Sequence, residues 1–261
     1  MNDVTSAALS PSGHTDGFAR AHLPPPDAWP DFLFDLPELQ YPARLNCASA
    51  LLDDAIARGW GARTALIGAR ERLTYAELLA QVDRIAHVLR HDVGLATGSR
   101  VLVRGANCPM MAACILGVIK AGCIVLPTMP LLRARELGAI ADKARINAVL
   151  CADGLVDAID ALGLRVPVLV FGAPAPVAPG ALEERMARHD APFVAADTAC
   201  DDICLISFTS GTTGIPKGTM HFHRDVLAVC DCFPRHTLDS RADDIFIGTP
   251  PLAFTFGLGG L

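Results

Sequence analysis

Along most of the chain, short apolar runs alternate with stretches whose apolar positions recur every three or four residues. The first helical spacing, at Leu51, Leu52, Ala55 and Ile56, sets the onset of regular structure near Leu45. Residues 64–67 predict a short strand. Thr74 then reads as a helix N-cap, with Glu77 three residues on to complete a capping box. Leu78, Val82, Ile85, Ala86 and Leu89 share one face of the helix that follows. Residues 100–103 predict a strand, and Pro109 opens a helix that runs to Lys120 and stops at Gly122. Ile124, Val125 and Leu126 form a buried strand closed by Pro127. A helix over 133–144, a strand over 148–151, a helix over 155–162 and a strand over 168–171 continue the series. Residues 172–180, with Pro174, Pro176 and Pro179, interrupt it as a flexible excursion. A strong strand over 203–208, a helix over 221–233 and a strand over 244–247 follow.

Strands alternating with helices imply βαβ units. The expected fold is therefore α/β, with doubly wound, mostly parallel sheets and helices on both faces. Residues 1–40, rich in Pro, Asp and Gly around Pro24-Pro25-Pro26, are expected to form an irregular N-terminal extension. No internal repeat of fixed period is present. On open parallel sheets ligands bind beyond the carboxyl ends of the strands, which directs attention to the loop after Phe208.

Composition changes this picture little. With 261 residues, 51% hydrophobic and 19% charged, the chain is a folded one, long enough for one large domain or two small ones. A formal charge of −6 without a Lys/Arg-rich run disfavours nucleic acid and anionic membrane surfaces as partners. Residues 109–129 are the most apolar, but Lys120 divides them into halves shorter than the roughly 20 residues of a membrane span. Residues 1–10 lack the pattern of a secretory signal. The nine cysteines show no C-x-x-C pair, so reduced, buried thiols in a cytoplasmic protein are expected, and no metal site. His87 and His91 read as ordinary helix residues. His221 and His223 flank the start of a helix, where one could reach a phosphate or simply pack. The acid pairs Asp53-Asp54, Asp201-Asp202 and Asp243-Asp244 read as solvated caps.

The chemistry concentrates in Thr209-Ser210-Gly211-Thr212-Thr213-Gly214-Ile215-Pro216-Lys217-Gly218. Three glycines let the backbone turn and present N–H groups to an anion. Four hydroxyls add short donors, and Lys217 adds a positive charge on a flexible stem. Together they describe a polyphosphate cradle, expected between a buried strand and a helix; the bland reading is an unliganded Gly/Thr-rich turn. A Walker A loop is excluded, because Pro216 precedes the lysine and Gly218 follows it.

This segment resembles the phosphate-binding signature of the adenylate-forming superfamily: acyl-CoA synthetases, luciferases and peptide-synthetase adenylation domains. Leu73-Thr74-Tyr75-Ala76-Glu77-Leu78 and Lys120-Ala121-Gly122 through Pro127 resemble two earlier family elements, and His223-Arg224-Asp225 stands where the family often has S-H-R-N. From about residue 40 on, the chain is most similar to aryl-CoA ligases of the benzoate and 2-aminobenzoate type. The resemblance implies activation of a carboxylic acid by ATP to acyl-AMP, then thioester formation with coenzyme A, with Mg²⁺ assisting. It implies that Thr209, Ser210, Gly211, Thr212, Thr213, Gly214 and Lys217 hold the ATP phosphates. It also implies an acyl pocket at Phe254, Thr255, Phe256 and Gly257, with Phe254 where many acyl-CoA synthetases have histidine and an apolar wall suited to an aryl ring. Core packing is the alternative for both phenylalanines.

On this reading residues 41–261 are part of an AMP-binding N-terminal domain. The family's Mg²⁺-binding Thr-Glu pair, its ribose-binding aspartate and the C-terminal domain with the catalytic lysine are not among the 261 residues, so no catalytic residue is assigned. Lys217 is not that lysine. The alternatives are an adenylating enzyme that loads a carrier protein and a truncated nucleotide-binding remnant.

Overall fold

A computed structural model of the chain describes residues 9–173, 179–209 and 216–261. Helices are α1 Phe18–Ala21, α2 Cys47–Ala57, α3 Tyr75–His87, α4 Pro109–Lys120, α5 Ala134–Ala144, α6 Asp157–Asp160, α7 Leu182–Met186, α8 His223–His236 and α9 Thr255–Leu258. Strands are β1 Thr64–Ile67, β2 Arg72–Thr74, β3 Arg100–Arg104, β4 Ile124–Thr128, β5 Ala148–Ala152, β6 Val168–Phe171, β7 Ile203–Thr209 and β8 Lys217–Phe222.

The period-2 alternation of the strands builds the main sheet. Its order is β6-β5-β3-β4-β7-β8. All neighbours are parallel except β7 and β8, which run antiparallel. Val101 and Val103 point into one core with α2, α3, α4 and α7, whereas Leu102 between them points into a second core with α5 and α6. Helices therefore cover both faces, as the α/β pattern requires. In β7 a register shift between Ile203 and Leu205 turns Cys204 and Leu205 to the same face, while Ile203 and Ile206 face the other.

Several expectations need correction. Residues 217–222 are a strand, not part of the loop or of the helix, and α8 begins only at His223. The reason is period 2: Met220 and Phe222 pack into the second core while Lys217, Thr219 and His221 alternate with them. The strand at 64–67 pairs with β2 in a separate antiparallel sheet rather than joining the main one. Pro127 does not close its strand but lies within it, opposite Val103. The helix over 155–162 is reduced to a 3₁₀ turn, Asp153–Leu155, and the short α6. Residues 244–247 form no ladder among the described residues, and Ile245 and Ile247 are exposed. Residues 9–40 carry α1 and two 3₁₀ turns and are fastened to the domain, because buried charges elsewhere need partners. Arg100, almost fully buried at the start of β3, donates to the carbonyls of Gly98, Ala144 and Arg145 and to Asp16.

The capping box at Thr74 and Glu77 forms as expected. So does the end of α4, where Gly122 adopts φ +73°. A Cβ at Gly122 would lie 2.5 Å from Ala196 Cβ and 2.9 Å from Thr97 Cγ2. Gly122→Ala therefore combines left-handed strain with overpacking. We expect a loss of about 2 kcal/mol, read from the urea midpoint; an unchanged midpoint would contradict this tight turn.

Candidate functional site

The loop expected to carry phosphate chemistry bridges the open end of the β7–β8 hairpin. Thr209, last in β7, is register-paired with Lys217, first in β8. Both are exposed and stand at the carboxyl edge of the parallel sheet. Ser210, Gly211, Thr212, Thr213 and Gly214, with Ile215, lie outside the described residues. Gly218 sits opposite Phe208, where a Cβ would come 2.9 Å from Ile206 Cγ2 and 3.2 Å from the Phe208 ring, so the strand needs glycine to pass. The Thr219 hydroxyl donates to the Ser207 carbonyl at 3.0 Å and fixes the next rung. From α5, Lys143 Nζ donates to the Pro216 carbonyl at 2.9 Å. A second cation thus stands at the loop's downstream end. Sequence reasoning missed Lys143, since nothing local to an amphipathic helix marks it.

The second candidate segment lies around α9. Phe254 is its N-cap residue, Thr255, Phe256 and Gly257 are in its single turn, and Phe256 is 82% exposed. Gly257 is required sterically: a Cβ there would meet the Pro251 carbonyl oxygen at 2.2 Å. Asn107 holds the segment from both sides, accepting from the Leu252 N–H at 2.8 Å and donating to the Pro250 carbonyl at 2.9 Å. A cleft of about 590 Å³ opens beside it, with Trp60, Arg63, Tyr75, Asn107, Phe246 and Gly257 among its walls. Of the four residues expected to contact an acyl group, Gly257 borders this cleft; Phe254, Thr255 and Phe256 do not, and neither do Thr209 and Lys217. The structure therefore does not bring the two candidate segments into one cavity among the described residues. The cleft carries the charged side chains Arg63, Arg72, Arg241 and Asp244 on its walls, whereas the hydroxyl and glycine donors of the candidate loop lie between β7 and β8 in the sequence.

The other polar candidates have structural roles. His87 Nε2 meets the Ala191 carbonyl at 3.1 Å and its ring stacks on His189. Asp244 accepts from the Arg241 N–H at 2.8 Å across a turn, and no described helix begins there for it to cap. Asp201 and Asp202 are not solvated caps but are buried, at 4% and 1% exposure. Asp202 accepts from the Gly13 and Ala199 N–H groups, the Ser12 hydroxyl and Arg20. Burial pushes its pKa up, but the bonds from Ser12, Ala199 and Gly13 and the nearby His14 win and hold the carboxyl below the usual range. Burial pushes His14 itself down from 6.5 to about 4, against the attraction of Asp202. Lys120, in the family-like K-A-G element, is fully buried and donates to Asp83 at 2.6 Å and Asp53 at 2.8 Å. That element is therefore a packing device tying α4 to α2 and α3.

Comparison with known proteins gives a consistent picture. Residues 54–261 match the family profile described as AMP-binding enzyme. The chain is 33% identical over 228 residues to benzoate–CoA ligase of Thauera aromatica, an alignment covering 85% of this chain and 42% of that protein. Its fold superimposes on the anthranilate CoA ligase AuaEII in complex with anthranoyl-AMP with a TM-score of 0.78 at 22% identity, covering 86% of this chain and 44% of that one. ATP-bound MatB from Rhodopseudomonas palustris gives a TM-score of 0.71 at 29% identity, covering 82% and 41%. The chain thus spans less than half the length of the relatives it matches.

Proposed function

The chain belongs to the AMP-binding enzyme family, and from that premise we propose that the whole protein is an ATP-dependent acid–CoA ligase acting on an aromatic acid of the benzoate or 2-aminobenzoate type. The observation that carries the reading is the pairing of Thr209 with Lys217 across the mouth of the hairpin, at the carboxyl edge of the sheet. Likeness to a benzoate–CoA ligase supports the aryl assignment.

In the first half-reaction a carboxylate oxygen attacks the α-phosphorus of ATP, and the bond to the bridging oxygen of pyrophosphate breaks. In the second, the coenzyme A thiol attacks the acyl carbon and AMP leaves. Charge builds on the departing pyrophosphate, so catalysis asks mainly for positioned donors. On this reading Thr209, the loop residues Ser210 to Gly214 and Lys217 would hold the β and γ phosphates; Lys143, bonded to the Pro216 carbonyl, stands at the loop end. The donor set suits an anion, since hydroxyls, glycine N–H groups and an ammonium follow one another in the sequence from Thr209 to Lys217. Mg²⁺, when bound, would neutralise phosphate oxygens, but no described residue of the hairpin offers it a carboxylate. The aryl group would lie against the segment from Phe254 to Gly257.

The test is benzoate- and 2-aminobenzoate-driven ATP–pyrophosphate exchange in the whole protein, followed by thioester formation with coenzyme A. Lys217→Ala is expected to reduce exchange by about 100- to 1000-fold, the scale of losing one electrostatic contact to developing charge. Exchange with no aromatic acid, or an unimpaired Lys217→Ala variant, would overturn the proposal. Exchange without a coenzyme A thioester would replace coenzyme A by a carrier protein as acceptor.

A further inference from the structure

Three side chains from distant parts of the chain meet inside the first core. Cys47 is the first residue of α2, Cys204 the second of β7 and His223 the first of α8. All three are 0% exposed. Their two sulfurs and an imidazole nitrogen lie within 4.8 Å of one another. His223 Nδ1 is 3.3 Å from Cys47 Sγ and accepts the Cys47 N–H at 3.1 Å. With Nδ1 accepting, the ring proton sits on Nε2, which is buried without a hydrogen-bond partner among the described residues. Cys204 Sγ has the His221 carbonyl oxygen at 3.7 Å.

None of these groups serves the phosphate loop. Cys204 stands five residues before Thr209, about 17 Å away at roughly 3.3 Å per strand residue. An imidazole fixed between two thiols is more polarity than packing needs in a core where other cysteines, such as Cys114, sit among aliphatic side chains.

We propose that Cys47, Cys204 and His223 form a structural metal site for a thiophilic divalent cation of the zinc class, stapling α2, β7 and α8 together. The ligand types are those zinc takes. Bond lengths of about 2.3 Å to sulfur and 2.0 Å to nitrogen in a tetrahedron put S and N roughly 3.5 Å apart, close to the separation already present. Two thiolates neutralise the dication, so the filled site is an uncharged unit suited to an apolar core. On binding, one thiol proton leaves Cys47 and another leaves Cys204, and the Nδ1 lone pair turns from the Cys47 N–H to the metal. The His221 carbonyl, 3.7 Å from Cys204 Sγ, is the candidate for the fourth position. Sequence spacing could not reveal this cluster, because Cys204 and His223 are 19 residues apart and Cys47 lies 157 and 176 residues before them.

The experiment uses the full chain with the surface-accessible thiols Cys108, Cys230 and Cys232 replaced by serine, so that they cannot compete. Titration with Co²⁺ is expected to give one ion per chain and a thiolate-to-cobalt charge-transfer band that Zn²⁺ bleaches. X-ray absorption of the Zn²⁺ form is expected to show two sulfurs at about 2.3 Å in the first shell. Cys204→Ala should weaken binding by more than about 100-fold, beyond the 10- to 100-fold typical of losing a group that only orients a ligand. Cys114→Ala, equally buried, should bind as the parent does. A shell of nitrogen and oxygen alone, no saturable band, or undiminished binding by Cys204→Ala would each overturn the site. If Cys204→Ala does not fold, the absorption spectrum of the parent decides.

Discussion

Lys120→Met is expected to lower the unfolding free energy by about 3–5 kcal/mol, the range for removing one partner of a buried ion pair. The substitution nearly keeps the volume and apolar stem of the side chain. What it removes is the ammonium that Asp83, only 9% exposed at its side chain, faces at 2.6 Å. The carboxylate is then left inside the interface of α3 and α4 without its countercharge, and desolvation is no longer offset. The second partner behaves differently. Asp53 is 40% exposed at its side chain and Lys120 keeps Asp83 as its countercharge, so Asp53→Ala should cost at most about 1 kcal/mol. Removing both members of the inner pair, as in Lys120→Met with Asp83→Leu, should recover most of the loss, because no buried charge is stranded. Urea unfolding of the three variants and the parent checks the set. Equal losses for Asp53→Ala and Lys120→Met would show that the pair is not governed by burial.

Acid should destabilise the fold well before the ordinary carboxylates titrate. The folded-state value of His14, about 4, lies below the 6.5 of the free side chain. Between these values the unfolded chain binds more protons than the folded one, so stability is complete above pH 6.5 and is lost as the pH falls toward 4. The gap between 6.5 and about 4 corresponds to roughly 3 kcal/mol at 1.36 kcal/mol per pH unit. Asp202, held below its usual range, adds a loss of the same sign at still lower pH. Urea midpoints at pH 7 and 4.5 measure the effect. His14→Gln, which cannot charge, should flatten the profile between them; an unchanged slope would remove His14 from the account.

The sequence was most informative where a pattern is local. Thr74 and Glu77 cap α3 because both partners of the capping box lie within one turn, and Gly122 ends α4 because only its own backbone must turn. The βαβ order was legible from period alone, whereas β8 was not. Its alternation of Met220 and Phe222 with polar residues is six residues long and adjoins the period of α8, so helix and strand compete for the boundary. Residues 244–247 fail in the opposite way: four residues of strand-like composition cannot make a ladder without a neighbour. The candidate loop stood out in the sequence because its donors are consecutive. Asn107, Lys143 and the Asp202 network did not, since each acts on a partner 70 or more residues away. The aryl reading of Phe254 and Phe256 likewise depends on what faces them, which the position of α9 beside the cleft does not supply.

The fastening of the N-terminal segment also orders assembly in time. Ser12 and Asp202 are separated by 190 residues. Closing so long a loop costs entropy that only an already folded receptor repays, and β7 joins the sheet through its neighbour β4, some 80 positions upstream, Leu205 against Val125. During synthesis the arm leaves the ribosome about 190 residues ahead of Asp202 and must wait for that segment before it can dock. The arm is thus expected to become native late, after β7 has joined the sheet.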